Sequence, residues 1–287
     1  MEKNRYMILM MSCNQPLYLE EEQACRDTFL RDAEASGVPY YFYRGGESQQ
    51  YIDGNHTIHL SCNDSLAGTS EKTVYAMAVA LTFTDWDYLV KTNVSTYLNI
   101  ERIDGMISNL EGPDDHNIYG ARYLINKSSK NIPFPRGHFS IFSRTMVEAI
   151  VKWSRMLLHE DSFPKTDDTL IGLSCLYQVM KIHEEKIQDR IMEVPAVNEW
   201  PGDGNLEDSP EISEALCIRC KDEKTKENTT KNMIRAHELL HTPVTEWKRK
   251  GYRQAKLFET GYGLTTYETY MKLSIIFDKL KEMKDKS

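Results

Sequence analysis

Six consecutive apolar residues, Tyr6 to Met11, stand almost at the start of the chain. A continuous apolar run without polar alternation reads as a strand covered on both faces. Such a strand needs helices on either side of its sheet, and the next segments supply them. Pro16 to Ala35 reads as a helix stopped by Gly37, and Val38 to Tyr43 as a second, aromatic-rich strand. Glu71 to Thr84 places Val74, Met77, Ala78 and Leu81 at helical spacing, Asp87 to Val90 is a short apolar strand, and Asn99 to Leu110 is helical again. This alternation predicts an α/β layered domain.

The second half is less regular. His138 to Phe142 alternates as a strand, and Thr145 to Leu158 and Thr169 to Met180 read as helices. Glu199 to Pro210 has the composition of an exposed loop. Ala215 to Lys221 is strand-like, Thr230 to Leu240 is helical, and Tyr267 to Lys284 is an amphipathic helix. The expected division is one domain over 1–245 and a C-terminal helical extension over 246–287.

Charge and cysteine content narrow the function. The formal net charge is -8 and no long basic tract is present. A nucleic-acid binder needs a basic stripe to displace counterions, so nucleic acid is excluded as the expected partner. A local basic pocket for one diphosphate is compatible with global acidity. Of the cysteines, only Cys217 and Cys220 are close together, and all six are expected as small reduced core residues. No segment reaches the length of a membrane span.

The segment Asp87 to Asn99, "DYLVKTNVSTYLN", would be only a strand, turn and helix on its own. It resembles the fringe and β-1,3-galactosyltransferase pattern "dYllKtDDDtfvN", with Asn93, Val94 and Ser95 in place of the acidic triplet. Other segments follow in the family's order. Arg26-Asp27-Thr28-Phe29 resembles "R-x-T-W", and "NDSLAGTSEKT" resembles "D-x-Y-x-N-L-T-x-K-T" with Lys72 in the lysine position. "FPRGHFSIFS", with Gly137 and His138, resembles the acceptor-side loop and strand. "TDDTLIG" resembles "P-D-D-x-T-x-G". The resemblance spans roughly residues 6 to 180.

The resemblance implies a GT-A-type nucleotide-diphospho-sugar transferase, a Rossmann-like mixed sheet flanked by helices. Its implied reaction is inverting transfer of a hexose or hexosamine from a UDP-sugar to a glycan hydroxyl, forming a β-1,3 linkage. Asp168 is the implied general base, since a carboxylate must take the acceptor proton as the new bond forms. Helix capping is the alternative use of both carboxylates and the main one expected of Asp167, which otherwise belongs with Gly137 and His138 on the acceptor side. The family holds Mn²⁺ or Mg²⁺ on the acidic turn, and hard cations want charged oxygen ligands. Asn93 and Ser95 offer neutral oxygens, so a metal is disfavoured and none is assigned. Those two residues are expected to hydrogen-bond ribose or sugar.

Positive side chains must then stabilise the diphosphate. Arg26 and Lys72 are candidates from the resemblance. Arg219 and Lys221 are candidates because alternate residues of the "CIRCK" strand share a face. A solvated edge strand is the other reading of that pair. The family is usually tethered in the Golgi by an N-terminal helix, which this sequence lacks, so a cytoplasmic enzyme, or one peripheral to a membrane, is expected.

Two rival readings remain open. The lost triplet would also suit a degenerate transferase that binds nucleotide or glycan without turnover. "HELLH", His237 to His241, matches the zincin pattern, with Glu238 to activate water and Glu259 as a possible third ligand.

Overall fold

The computed structural model describes residues 6–157 apart from 85, 111, 122 and 127–131. It also describes 167, 168, 170–172, 174, 175, 178, 190–198, 200, 214–221, 228–241 and 253–254. The first half runs β1 (Tyr6–Met11), α1 (Pro16–Asp27), α2 (Phe29–Ala35), β2 (Tyr40–Arg44), β3 (Tyr51–Ile52), β4 (Thr57–His59), α3 (Thr69–Ala80), β5 (Tyr88–Asn93), β6 (Thr96–Leu98), α4 (Ile100–Ile107) and β7 (Ile118–Gly120). The second half runs β8 (Tyr123–Asn126), β9 (Ile132–Pro135), β10 (Phe139–Ser143), α5 (Arg144–Leu157), a helix α6 among the described residues of 167–178, β11 (Ile191–Glu193), β12 (Ala196–Val197), β13 (Cys217–Arg219), α7 (Thr229–His241) and β14 (Arg253–Gln254).

Nine of these strands form one mixed sheet in the order β14-β11-β7-β10-β5-β1-β2-β4-β3. β1 lies parallel to both β2 and β5, and β10 runs antiparallel to β5. Two smaller sheets, β12-β13-β6 and β8-β9, complete the strands. The predicted α/β layering is thus observed, with helices on both faces of the central sheet.

The reason lies in β1. Tyr6, Ile8 and Met10 pack into one core with α1, α2, α4 and α7 residues such as Phe29, Ile103 and Met233. Met7 and Leu9 pack into the other, with Val74 and Met77 of α3 and Ile150 of α5. Successive strand residues point to opposite faces, so a strand covered twice must be apolar throughout. β5 repeats the pattern through Tyr88, Leu89 and Val90 and then departs from it at Lys91.

Two expectations need correction. The helix expected from Pro16 to Ala35 is two, broken at Thr28, whose backbone leaves helical geometry (φ -120°, ψ -116°). The Thr28 hydroxyl donates to the Ala24 carbonyl at 2.6 Å, the local bond by which threonine competes with a helix. β14 arises beyond residue 245 yet pairs with β11, so the chain after the expected domain boundary joins the main sheet. The expected helix at 267–284, the loop positions 199 and 201–210, and Glu259 lie outside the described residues.

A 3-10 turn, Leu66–Gly68, delivers α3 to the sheet. A Cβ on Gly68 would stand 1.9 Å from the Asn63 carbonyl oxygen, a backbone atom that cannot rotate away. We expect Gly68→Ala to lower stability by about 2 kcal/mol, the usual cost of overpacking. Gly54→Ala, where nothing lies within 4 Å, should stay within about 0.5 kcal/mol. Urea denaturation of both variants checks this, and equal midpoints would refute it.

Candidate active site

β1 sits between β2, reached through α1 and α2, and β5, reached through α3. The chain therefore leaves β1 in two directions, and the carboxyl ends of β1 and β5 open a crevice of the kind where α/β sheets bind ligands. Met11 and Asn93 stand opposite each other at that edge.

Lys91, two residues before the end of β5, is 1 % exposed. Its ammonium donates to Asp167 Oδ2 at 2.5 Å and to the Gly137 carbonyl at 3.2 Å, and lies 3.8 Å from Asp168 Oδ1. Burial opposes its charge, but Asp167 and then Tyr43 and Asp168 outweigh that and raise its pKa above the ordinary lysine value. Asp167 also accepts from the Thr73 hydroxyl of α3 at 3.5 Å. Asp167 is thus an ion-pair partner that ties α6 to β5 and α3, a role the sequence reading did not assign it. A buried lysine must be paired, and of the two carboxylates in reach Asp167 is the nearer.

That pair places Asp168. Phe139 of β10 stands opposite Thr92 of β5, so Gly137 reaches the level of the turn after β5. Gly137 backs directly onto Asp168: a Cβ there would lie 2.2 Å from Oδ1. A larger residue there would displace the carboxylate. Asp168 Oδ1 is buried without a hydrogen bond of ordinary geometry. Burial, then the Asp167 charge, push the Asp168 pKa up to about 7, against the opposing pull of Lys91 and the Gly137 N–H. The carboxyl group nonetheless keeps a quarter of its side-chain surface open. A carboxylate with this environment is suited to accept a proton near neutral pH.

His138 is buried beside it. Burial, then the positive charges of Arg219, Arg136 and Lys91, lower its pKa to about 3, so its ring is neutral. All three cations are thus within electrostatic reach of His138, Arg219 from β13, where it stands opposite Thr96 of β6. The Cys220 N–H donates to the Ser95 carbonyl at 2.9 Å and holds β13 against the turn between β5 and β6.

That turn is closed on itself. Asn93 Oδ1 accepts from the Ser95 N–H at 3.2 Å, the Ser95 hydroxyl at 2.8 Å and the Thr96 hydroxyl at 3.0 Å. Val94 is buried. The oxygen that could have faced a cation is thus taken by the turn's own donors, and the turn supplies no carboxylate. These residues do not fit a hard divalent ion.

The remaining predicted residues sit elsewhere. Lys72 is buried and donates to Asp64 Oδ1 and to the Ser12 carbonyl, both at 2.8 Å. Asp64 also accepts from the backbone N–H of Asn14 and Gly45. Lys72 therefore secures the loops after β1 and β2. Arg26 donates to the Asn55 carbonyl at 2.6 Å and lies over the Phe42 ring at 4.6 Å; its neighbour Cys25 is the residue that faces the Val94 carbonyl. Lys221 acts on the buried Glu21 of α1. Cys217 and Cys220 are free and buried, as expected. Of the predicted set, Asn93, Ser95, Gly137, His138, Asp167, Asp168 and Arg219 gather around the crevice. Lys91 and Arg136 join them without having been singled out. A lone lysine inside an apolar strand was the available signal for the first.

No family model and no curated protein matches the chain. Among solved structures it is similar to a glycosyltransferase involved in glycosylation of the major capsid of PBCV-1, at 11% identity over 79% of this chain and 99% of that one, TM-score 0.45. It is also similar to the galactosyltransferase LgtC in complex with donor and acceptor sugar analogs, at 9% identity over 84% and 98% of the two chains, TM-score 0.45. A third is the mannosyltransferase PcManGT from Pyrobaculum calidifontis in complex with GDP-Man and Mn²⁺, at 12% identity over 78% and 59%, TM-score 0.38.

Breaking the buried pair from one side strands a charge. Lys91→Met should therefore cost about 3–5 kcal/mol, and the double variant with Asp167→Asn distinctly less than the sum of the two single changes. A double-mutant cycle by chemical denaturation measures this. Additive losses would show that the two groups are not coupled.

Proposed function

We propose that the chain is an inverting glycosyltransferase of the GT-A type, moving a hexose or hexosamine from a UDP-sugar to a glycan hydroxyl with a β-1,3 linkage. The observation that carries this reading is Asp168, a carboxylate of raised pKa held against Gly137 and Lys91 at the carboxyl edge of the central strands, with Arg136 and Arg219 acting on the neighbouring His138. Proton acceptor and cations together match what sugar transfer from a diphosphate needs.

In this reading the acceptor oxygen bonds to the anomeric carbon as that carbon's bond to the diphosphate oxygen breaks. The hydroxyl proton passes to Asp168, and the electron pair of the broken bond leaves on the nucleotide. The negative charge that develops there is stabilised by the positive side chains around His138, namely Arg219, Arg136 and Lys91. Gly137 keeps the loop low over Asp168, and the closed turn at Asn93 leaves the Asn93 amide N–H groups and the Ser95 region to meet ribose or sugar. Catalysis without a divalent cation follows from the donor set of that turn.

Asp168→Asn should lower transfer by about 100-fold or more while UDP affinity is kept, the usual span for a lost general base. The base works only when unprotonated, so the rate should rise with pH through a midpoint near 7 and level off above it, higher than the ordinary carboxylate range. An active Asp168→Asn enzyme, or an acid limb near pH 4, would remove Asp168 from this role.

Nucleotide release measured across a panel of sugar nucleotides, with and without EDTA, tests the cation side. We expect transfer that survives EDTA and falls on Arg219→Ala. Transfer abolished by EDTA and restored by Mn²⁺ would place a metal in the reaction. UDP binding with no release from any donor would favour the binding-only reading, which the closed, uncharged Asn93 turn also supports.

A further inference from the structure

The "HELLH" segment lies on α7, away from the crevice, and its geometry differs from that of a peptidase. Glu238, the residue that would activate water, is 59% exposed and paired with Arg235 at 3.4 Å. The two histidines nonetheless meet a third group. His237 and His241 stack edge to face, ring centroids 4.1 Å apart, and His241 Nε2 lies 3.1 Å from Asp32 Oδ2 on α2. One ligand atom from each of Asp32, His237 and His241 lies within 4.8 Å of the others.

We propose that Asp32, His237 and His241 form a site for a divalent cation of the zinc class that clips α2 to α7. Metal bonds of about 2.0–2.2 Å imply ligand atoms about 3.3 Å apart in a tetrahedron, so the His241–Asp32 pair already has the spacing. A small rotation of His237 brings in the third. Two imidazoles and one carboxylate select Zn²⁺, Co²⁺ or Ni²⁺ over Mg²⁺ or Ca²⁺. His241 is exposed, which leaves the fourth position to water.

A buried hydroxyl lies against one of the two imidazoles. Tyr97 is buried, held edge to face against Phe29 of α2, and its hydroxyl lies 3.1 Å from His237 Nδ1. When Nδ1–H donates to Tyr97, the lone pair sits on Nε2, the arrangement that orients ligating histidines. The clip is structural. Asn232 of α7 donates to the Cys220 carbonyl at 2.8 Å, so α7 buttresses the end of β13 that follows Arg219.

The test is titration of the full chain with Zn²⁺, followed by calorimetry and melting temperature, with Co²⁺ absorption as a spectroscopic probe. We expect one ion per chain and a melting temperature raised by about 5 °C at a hundredfold excess over the dissociation constant. Both effects should vanish in His241→Ala and in Asp32→Asn, and persist in Glu238→Gln. His241 is surface-exposed, so His241→Ala should melt like the parent without metal. The Co²⁺ complex should lack strong thiolate charge-transfer bands, which excludes the cysteines. No zinc-dependent shift, or a shift unchanged in both variants, overturns the proposal. Either outcome is separate from sugar transfer, whose assays rest on Asp168 and Arg219.

Discussion

The buried contact between Lys91 and Asp167 is the joint on which the site depends. It connects the central strand β5 to α6, two elements far apart in sequence, in a region where an unpaired charge would be prohibitive. Because Asp168 follows Asp167 directly, fixing one carboxylate against β5 aims the other at Gly137. Lys91 bonds the Gly137 carbonyl as well, so a single ammonium locates the helix and the loop that enclose Asp168.

A second buried lysine performs the same task on the other side of the crevice. Lys72 and Asp64 hold the loops after β1 and β2, with Asp64 gathering the backbone N–H groups of Asn14 and Gly45. In both places an ionic group that could have met a ligand instead fixes backbone. Such groups are satisfied by hydrogen bonds on every side, which makes them rigid supports for their neighbours.

Much of this layout was legible in the sequence where periodicity carries it. β1, β5, α3, α4, α5 and α7 announce themselves because their apolar residues follow the period of the faces they bury. β6, β7, β11 and β12 do not, since strands of two or three residues are too short to show a period. The ordered resemblance brought Asn93, Gly137, His138, Asp167 and Asp168 into view. It also pointed to Arg26 and Lys72 at the nucleotide, where the structure gives them partners in Asn55 and Asp64. Partnership across 76 residues, as between Lys91 and Asp167, leaves no local pattern to read. The oxygen of Asn93 looked available for the same reason: its three donors are visible only once the turn is folded.

The charge arrangement gives the proposed reaction a built-in order. Asp168 is held up in pKa by burial and by Asp167, and restrained by Lys91. A diphosphate entering beside Arg136 and Arg219 adds negative charge nearby, and like charge favours the protonated form of a carboxyl group. Donor binding would thus raise the proton affinity of Asp168 and move the pH at which it is unprotonated further upward. Departure of the nucleotide reverses the effect, and the lowered pKa helps return the proton to solvent. A carboxylate-lined turn holding a metal would offset part of that coupling, because the cation neutralises the diphosphate before Asp168 feels it. In the proposed reaction the uncharged turn at Asn93 would leave the coupling in place.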